Sequence, residues 1–482
     1  MARQLGTWLL TVLLSGITLK AQTQARLTGT VTDNTGAVIV GATVLARNVG
    51  TGIASSAVTN ESGIYSISFL NPGQYELSCE FTGFKKFLRT GLALETGTTT
   101  TINVELQIGE LAETVNVSEA APLLESESGA VGQLIEGAAI LNMPIESRRG
   151  GALIRMMGNI SFNREDSAEV IPRFSMAGGR ALNQMWQLDG SVSQNMALGV
   201  AQLSLNPPNE ALQEFKAESN NYAAEFGRTG GGLILMTTRS GTNAYHGSAY
   251  EWLRNEKLNA RTFFAPSKAP LRYNIFGAAL GGPIKKNKTF FFFNYEGGRR
   301  RTGVTVTRNV PQPAEVNGDF SARTDTQVLD PVTRTGSTAA TPFPGNIIPQ
   351  NRMDPIGKAF AAFYPAPNVA GNNPARAPSN NFRANGSDKL TQDFYTTRID
   401  HQLGQKDRLF GRFSWVTAPE FIAAVIPTEA ADDRAGPREN RHANALVGWQ
   451  RTLRPTLIHD FKYMYGNRLH INRGAATGSG LN

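Results

Sequence analysis

From about Thr242 onward, large apolar residues fall on alternate positions: Tyr250 and Trp252; Phe291, Phe293 and Tyr295; Leu409, Phe413 and Trp415; Phe461, Tyr463 and Tyr465. The residues between them are mostly small or polar, as with Thr396, Arg398 and Asp400 on one run and Asp460 and Lys462 on another. A period of two means strand, and one apolar face set against one polar face suits a strand with lipid on one side and a lumen on the other. The connections alternate as well. Gly281–Lys288, Leu403–Asp407 and Arg454–Thr456 are short, whereas Asn255–Arg272, Thr302–Gln392 and Ala418–Asn440 are long. Short turns opposite long loops are expected of a transmembrane barrel, and the pattern predicts about seven strands between Thr242 and Leu469.

Upstream the pattern changes. Between Arg26 and about Ile108, short alternating runs (Leu27–Val31, Ala42–Ala46, Ile64–Phe69, Tyr75–Cys79, Ile102–Leu106) are separated by Asp33-Asn34, Asn60-Glu-Ser-Gly63 and Asn71-Pro-Gly73. Strands at this spacing with such turns predict a small β-sandwich. Gly109 to Ser128 is a polar connector with one β-prone pulse, Glu113-Thr-Val-Asn-Val117. Gly129 to Arg239 is mixed, with helix-like stretches at Gln133–Leu141 and Pro208–Ala217 among short strands.

The chain has 482 residues, of which 40% are hydrophobic, and a net charge of +8. No stretch past the N-terminus approaches the roughly eighteen apolar residues of a helical span, which says nothing against a barrel. Met1 to Ala25 reads as a secretory signal, with Arg3 in the charged region, Trp8–Leu19 as the apolar core and Ala21 or Ala25 before cleavage; the alternative is a buried N-terminal helix. The single cysteine, Cys79, forms no internal bridge and reads as a small buried hydrophobe. Lys285-Lys286 and Arg299-Arg300-Arg301 lie at the ends of aromatic strands, as charges at a membrane surface rather than a nucleic-acid stripe.

Catalytic patterns are missing from the sequence. The five histidines (His246, His401, His442, His459, His470) form no HExxH and no pair at metal-ligand spacing, and there is no Gly-x-Ser-x-Gly, phosphate-binding loop or GxGxxG. Gly230–Gly232 precedes a strand, so it has no helix N-terminus to hold an anion. The expectation is a protein that is not an enzyme, with no catalytic, metal or cofactor-binding residues.

Particular motifs add a family. Gly29-Thr-Val-Thr-Asp33, Gly41-Ala-Thr-Val44, Asn60-Glu-Ser-Gly-Ile-Tyr65, Leu70-Asn-Pro-Gly-Gln-Tyr75 and Gly83-Phe-Lys-Lys86 resemble a carboxypeptidase-regulatory-like domain, an accessory sandwich without a peptidase site. Asn142-Met-Pro-Ile-Glu-Ser-Arg148, Gly178-Gly-Arg180, Gln187-Leu-Asp-Gly190 and Ala211-Leu-Gln-Glu-Phe-Lys216 resemble the plug of TonB-dependent outer-membrane receptors. Met143 and Ser147 depart from the usual form of the first motif. Asn221-Tyr-Ala-Ala-Glu-Phe-Gly227, Gly230–Gly232 and Arg239-Ser-Gly-Thr-Asn243, followed by the aromatic strands, are similar to the plug-to-barrel junction.

The resemblance implies a mainly β protein: an N-terminal β-sandwich, a mixed α/β plug domain, then the first part of an antiparallel transmembrane β-barrel. The expected divisions are 1–25 signal peptide, 26–108 sandwich, 109–128 connector, 129–241 plug and 242–482 partial barrel. Within the connector, Glu113, Thr114, Val115, Asn116 and Val117 are the candidate TonB box; the other reading makes them the last strand of the sandwich. Pro144, Arg148, Gly178, Gly179, Arg180, Asp189 and Gly190 form the plug motif, in which Asp189-Gly190 reads either as a bare turn or as the end of a plug strand. Glu225, Gly227, Gly230, Gly231, Gly232, Gly241 and Asn243 mark the junction.

The resemblance further implies residence in the outer membrane and active uptake, with outer-membrane lipid, the TonB-ExbB-ExbD complex and an extracellular ligand of unknown kind as partners, and no nucleic acid. An adhesion or structural protein anchored by the same barrel is the alternative. The Pro-rich loop Thr302–Gln392 reads either as a partly ordered lid or as a mobile surface loop. Seven strands fall short of the roughly 22 at which plugged transporters close, so the sequence is also expected to be part of a longer chain.

Overall fold

The computed structural model describes residues 24–109, 114–117, 129–145, 147–164, 173–180, 183–195, 202–203, 205–223, 226–227, 229–261, 267–336, 338–372, 379–423, 435–454 and 457–473. Residues 1–23 of the signal-peptide segment, Glu113 and Glu225 lie outside them, while Ala25, its last residue, begins the first strand.

Nine strands come first: β1 (Ala25–Asp33), β2 (Thr43–Asn48), β3 (Ala54–Val58), β4 (Ile64–Leu70), β5 (Gly73–Glu80), β6 (Lys86–Leu94), β7 (Thr99–Thr101), β8 (Val104–Leu106) and β9 (Thr114–Val117). They form two sheets. One has the order β4-β1-β7 with β8 also on β1, and the other β3-β2-β5-β6-β9. Alternate residues point between the sheets, so Leu27, Val31, Val44, Tyr65, Leu77, Cys79, Leu92 and Leu106 form one core. Burial pushes the Cys79 thiol up to about 12, consistent with a packing role. The pulse read as either TonB box or last strand is β9 here, parallel to β6 with Val115 opposite Phe87, at the edge of its sheet.

The middle of the chain contributes β10 (Val131–Glu136), α1 (Gly137–Asn142), β11 (Ile160–Arg164), β12 (Arg173–Met176), β13 (Met185–Leu188), β14 (Ser191–Val192), β15 (Gln194–Asn195), β16 (Gln202–Leu203), β17 (Leu212–Asn220) and β18 (Leu233–Thr238). Its main sheet runs β10-β17-β18-β13-β14. Two helix-like readings are corrected. Gln133–Glu136 belongs to β10, with α1 following it, and Pro208–Ala217 is a single 3-10 turn leading into β17. Ile135 lies opposite Phe215 across β10 and β17, so sheet partners override local propensity. β17 and β18 are buried on both faces, which erases the alternation that would have marked them as strands.

The remainder is one antiparallel sheet of β19 (His246–Asn255), β20 (Leu271–Lys285), β21 (Thr289–Arg308), β22 (Phe382–Gln402), β23 (Asp407–Thr417), β24 (Glu420–Ile422), β25 (Gly436–Arg454) and β26 (Leu457–Asn472). β19 and β26 are its two ends, so the sheet is open, with seven long strands and the short β24. The β21–β22 pair continues far past the expected loop boundaries, from Thr289 opposite His401 to Arg308 opposite Phe382. The intervening segment holds two short helices, α2 (Pro313–Val316) and α3 (Pro355–Ala361), and is tied by the Arg352–Asp330 and Arg323–Glu315 ion pairs.

The register divides each strand into two faces. Phe293, Tyr395, Phe413, Val447, Phe461 and Tyr463 share the outer face and are exposed, while Phe292, Asn294, Glu296, Thr396, Arg398 and Asp400 share the inner face and are buried against the middle unit. Tyr250 and Trp252 are the exception to the sequence reading: they face inward, where Tyr250 donates to Glu296 at 2.9 Å and Trp252 lies under Arg148. This assignment predicts that Phe293→Arg destabilises the inserted protein by about 2–4 kcal/mol, because the charge enters hydrocarbon. Unfolding by urea from vesicles reads the change directly, and unchanged stability would place Phe293 on the inner face.

Candidate functional site

The middle unit sits against the inner face through buried charge. Asp189 follows β13 in a left-handed turn, φ 52°, and its main-chain N–H donates to Met236. That turn aims the carboxylate at the wall. Its oxygens accept from the Thr238 N–H at 2.8 Å, the Thr238 hydroxyl at 2.9 Å and Arg398 Nη1 at 3.1 Å. Arg412 Nε lies 3.1 Å from Asp189 Oδ2, an ion pair by distance that lacks the alignment of a hydrogen bond. Arg398 also forks onto Asp400 at 2.8 and 3.0 Å, and Asp400 receives Arg408 at 2.7 Å and the Ser240 hydroxyl at 2.9 Å. Arg412 Nη2 continues to Asn444 at 2.8 Å.

A second cluster forms around the next plug-motif residue. Arg148, with φ 49°, donates to the Leu141 carbonyl, pairs with Glu210 at 3.2 Å and places its guanidinium 4.1 Å from the Trp252 ring centre. Its neighbour Arg149 reaches the wall, with Glu296 at 3.1 Å and the Gln392 side chain at 3.0 Å. Glu296 is 1% exposed, so Arg149 and the Tyr250 hydroxyl supply what water would otherwise give it.

The sandwich closes the short-turn end. The Thr96 N–H donates to Glu214 at 2.8 Å, and its hydroxyl meets that of Thr237 at 2.9 Å. Asn243, a predicted junction residue, bonds the Gly50 and Thr51 carbonyls of the sandwich and Asn287 of the β20–β21 turn. A cleft of 70 Å³ beside it, lined in part by Tyr75, Phe290, Asp400 and Arg408, has room for a few waters and not for a solute.

The predicted glycines are brought together in part. Gly179 and Gly231 cross so closely that a Cβ on Gly179 would lie 2.9 Å from the Gly231 Cα, and one on Gly231 would lie 2.9 Å from the Asn183 carbonyl oxygen. Gly241 carries the chain onto the wall, where a Cβ would stand 2.3 Å from the Phe291 carbonyl oxygen. Pro144, Gly178, Arg180, Gly190, Gly227, Gly230 and Gly232 make none of the contacts between plug and wall described above; of these, Gly190 follows Asp189 in its turn. β9 makes no such contact either. Sequence reasoning missed Glu210, Glu296, Gln392, Arg408 and Arg412, and held Glu214 only as one position of the Ala211–Lys216 motif. Glu296, Arg408 and Arg412 were open to it, since they occupy inner-face positions of strands whose outer face was recognised.

The family model described as an outer membrane beta barrel domain matches residues 237–482, just over half of the chain. The chain belongs to that family. A second model, the carboxypeptidase regulatory-like domain, matches residues 26–107. Among curated proteins, the chain is 30% identical over 295 residues to the TonB-dependent transporter Oar of Myxococcus xanthus, covering 58% of this chain and 27% of that protein. It therefore spans about a quarter of that relative's length. Among solved structures it is similar to the siderophore receptor PirA of Acinetobacter baumannii (12% identity, 70% of this chain and 44% of that one, TM-score 0.36). It is also similar to the outer membrane transporter YddB of Escherichia coli (11% identity, 69% and 38%, TM-score 0.39).

Two outcomes test the site. Asp189→Asn leaves Arg412 without its buried counter-charge and should weaken plug seating by about 3–5 kcal/mol, seen as faster hydrogen exchange at the Thr238 N–H; unchanged exchange would make the pair incidental. The Glu214 carboxyl is pushed up to about 7 by burial, with Glu136 and Glu95 adding like charge. A carboxyl whose pKa rises on folding stabilises most below its unfolded value of about 4.5 and loses that effect as pH climbs through 7. Melting of the full chain between pH 5 and 8 should show this decline, and Glu214→Gln should flatten it.

Proposed function

We propose that the chain serves TonB-dependent uptake across the outer membrane, with the middle unit gating the lumen and the long loops, including the segment between β21 and β22, contacting an extracellular solute. The observation that carries this reading is the plug held to the inner wall by discrete buried ion pairs, Asp189 with Arg398 and Arg412, and Arg149 with Glu296. Such contacts are rigid while dry. Once water enters a widening gap it solvates both partners, so a pull that starts the separation meets less resistance as it proceeds. The outer membrane has no nucleotide supply, and the work has to arrive mechanically from a partner. Residues Met1–Ala25 as an export signal, and a role without catalysis, belong to the same reading.

Coupling is assigned to Glu113–Val117. β9 stands at a sheet edge, paired with β6 on one side, and this leaves its other side as a template for a partner strand. A passive porin fits poorly, because the plug fills the space beside the wall. An adhesion protein would keep the same anchor and need no energy.

The experiment measures binding of a purified TonB periplasmic domain to the full chain, and TonB-dependent uptake in cells. Val115→Pro removes a main-chain donor and fixes φ, so binding should fall at least tenfold and uptake should be lost. Undiminished binding would return these residues to the sandwich alone, and a phenotype unaffected by loss of TonB would favour adhesion.

A further inference from the structure

The outer face of β20, β21 and β22 carries a feature that neither gating nor coupling uses. Counting upward in twos from Tyr295 on this face gives Gly297, Arg299 and Arg301, and Arg301 lies directly opposite Arg272 on β20 and Lys389 on β22. Three cations thus stand side by side on three hydrogen-bonded strands, all exposed. The rest of that rung is Asn255, Phe421 and Pro437, with no carboxylate. Like charges placed directly opposite destabilise a sheet. Of the nearby carboxylates, Asp393 pairs with Arg299 at 2.8 Å and accepts from the Tyr295 hydroxyl, Asp388 accepts from the Ala423 N–H, and Glu256 accepts from the Leu271 N–H while also feeling the charge of Arg272.

Height supplies the second observation. Below the cations on the same face lie Phe276, Tyr295 and Tyr395, the two tyrosine rings 5.0 Å apart, and then the exposed apolar band of Leu280, Phe293 and Ile399. Arg301 is twelve residues above Thr289 at the short turn. At ~3.4 Å per residue and a tilt of roughly 40°, that is about 30 Å along the membrane normal. A span of about 25 Å measured from that turn ends just beneath it, with the Arg299–Asp393 ion pair at its upper margin, where headgroup phosphates begin.

We infer that Arg272, Arg301 and Lys389 form an outward-facing site for the phosphate groups of an anionic lipid in the outer leaflet. Guanidinium groups fork onto phosphate oxygens and Lys389 adds a point charge, so one headgroup relieves the repulsion along the rung. Tyr295 and Tyr395 lie six residues lower on the same face, about 16 Å down the normal and within the span. This inference rests on the lipid-facing side of the sheet and not on uptake.

The test uses the full chain inserted in outer membranes, purified in detergent and examined by native mass spectrometry with diphosphorylated lipid A or its dephosphorylated counterpart. Wild type should retain the phosphorylated lipid at least tenfold better. The combined Arg272→Gln, Arg301→Gln and Lys389→Gln variant should lose that preference while keeping its heat-modifiable mobility. Equal retention of both lipids by wild type, which needs no variant to fold, would overturn the proposal, as would an unchanged preference in the variant. Displacement of the lipid by millimolar inorganic phosphate alone would assign the site to a soluble anion and overturn the lipid reading.

Discussion

Asp189 is the charge around which the plug and the wall are fitted. It is 7% exposed, sits in a left-handed turn, and faces two arginines from adjacent strands of the wall. A buried carboxylate in that position is tolerable only with those partners, and the arginines are tolerable only with it and Asp400. The two units are therefore positioned by mutual need rather than by a continuous apolar core. The larger cores are separate: the sandwich packs around Leu27, Tyr65 and Leu77 and the plug around Trp186, Phe215 and Ile234, while the wall adds Phe394 to the latter and packs Ala279 and Phe292 against Ala211.

That division has consequences for how the molecule responds to hydration and pH. Apolar packing within each unit survives hydration of its boundary, whereas the boundary depends on water being absent. Glu214 shows the same logic at the other interface. Its carboxylate is enclosed between the plug sheet and Thr96 of the sandwich, opposite Glu136, so its protonation is coupled to whether the sandwich stays docked.

Much of this was legible in the sequence. The sandwich runs, the outward aromatic residues of β21, β23 and β26, and the inward Thr396, Arg398 and Asp400 follow from period-two alternation. What escaped has identifiable causes. Tyr250 and Trp252 look like lipid-facing aromatics, yet they are amphipathic side chains whose partners, Glu296 and Arg148, come from distant segments. β17 and β18 are buried on both faces and carry no alternation. The strands above the membrane, to Arg308 and from Phe382, have polar residues on both faces and so read as loop. Asp189 was recognised by motif, but its role needed the fold, because Thr238, Arg398 and Arg412 converge on it only in three dimensions.

β21 and β22 show why these features are interdependent. Their even-numbered residues, Asn294, Glu296, Thr396, Arg398 and Asp400, meet the plug, and their odd-numbered ones, Phe293, Tyr295, Tyr395 and Ile399, meet lipid. Shifting either strand by one residue would exchange the two sets. Arg398 and Asp400 would then enter hydrocarbon while Tyr395 and Ile399 would face the Asp189 carboxylate, a double penalty with no compensating contact. The buried charges that hold the plug thus also fix the register of the wall. The same register brings Arg272, Arg301 and Lys389 onto one rung at the membrane boundary, so recognition on the outer face follows from the alignment that the inner face imposes.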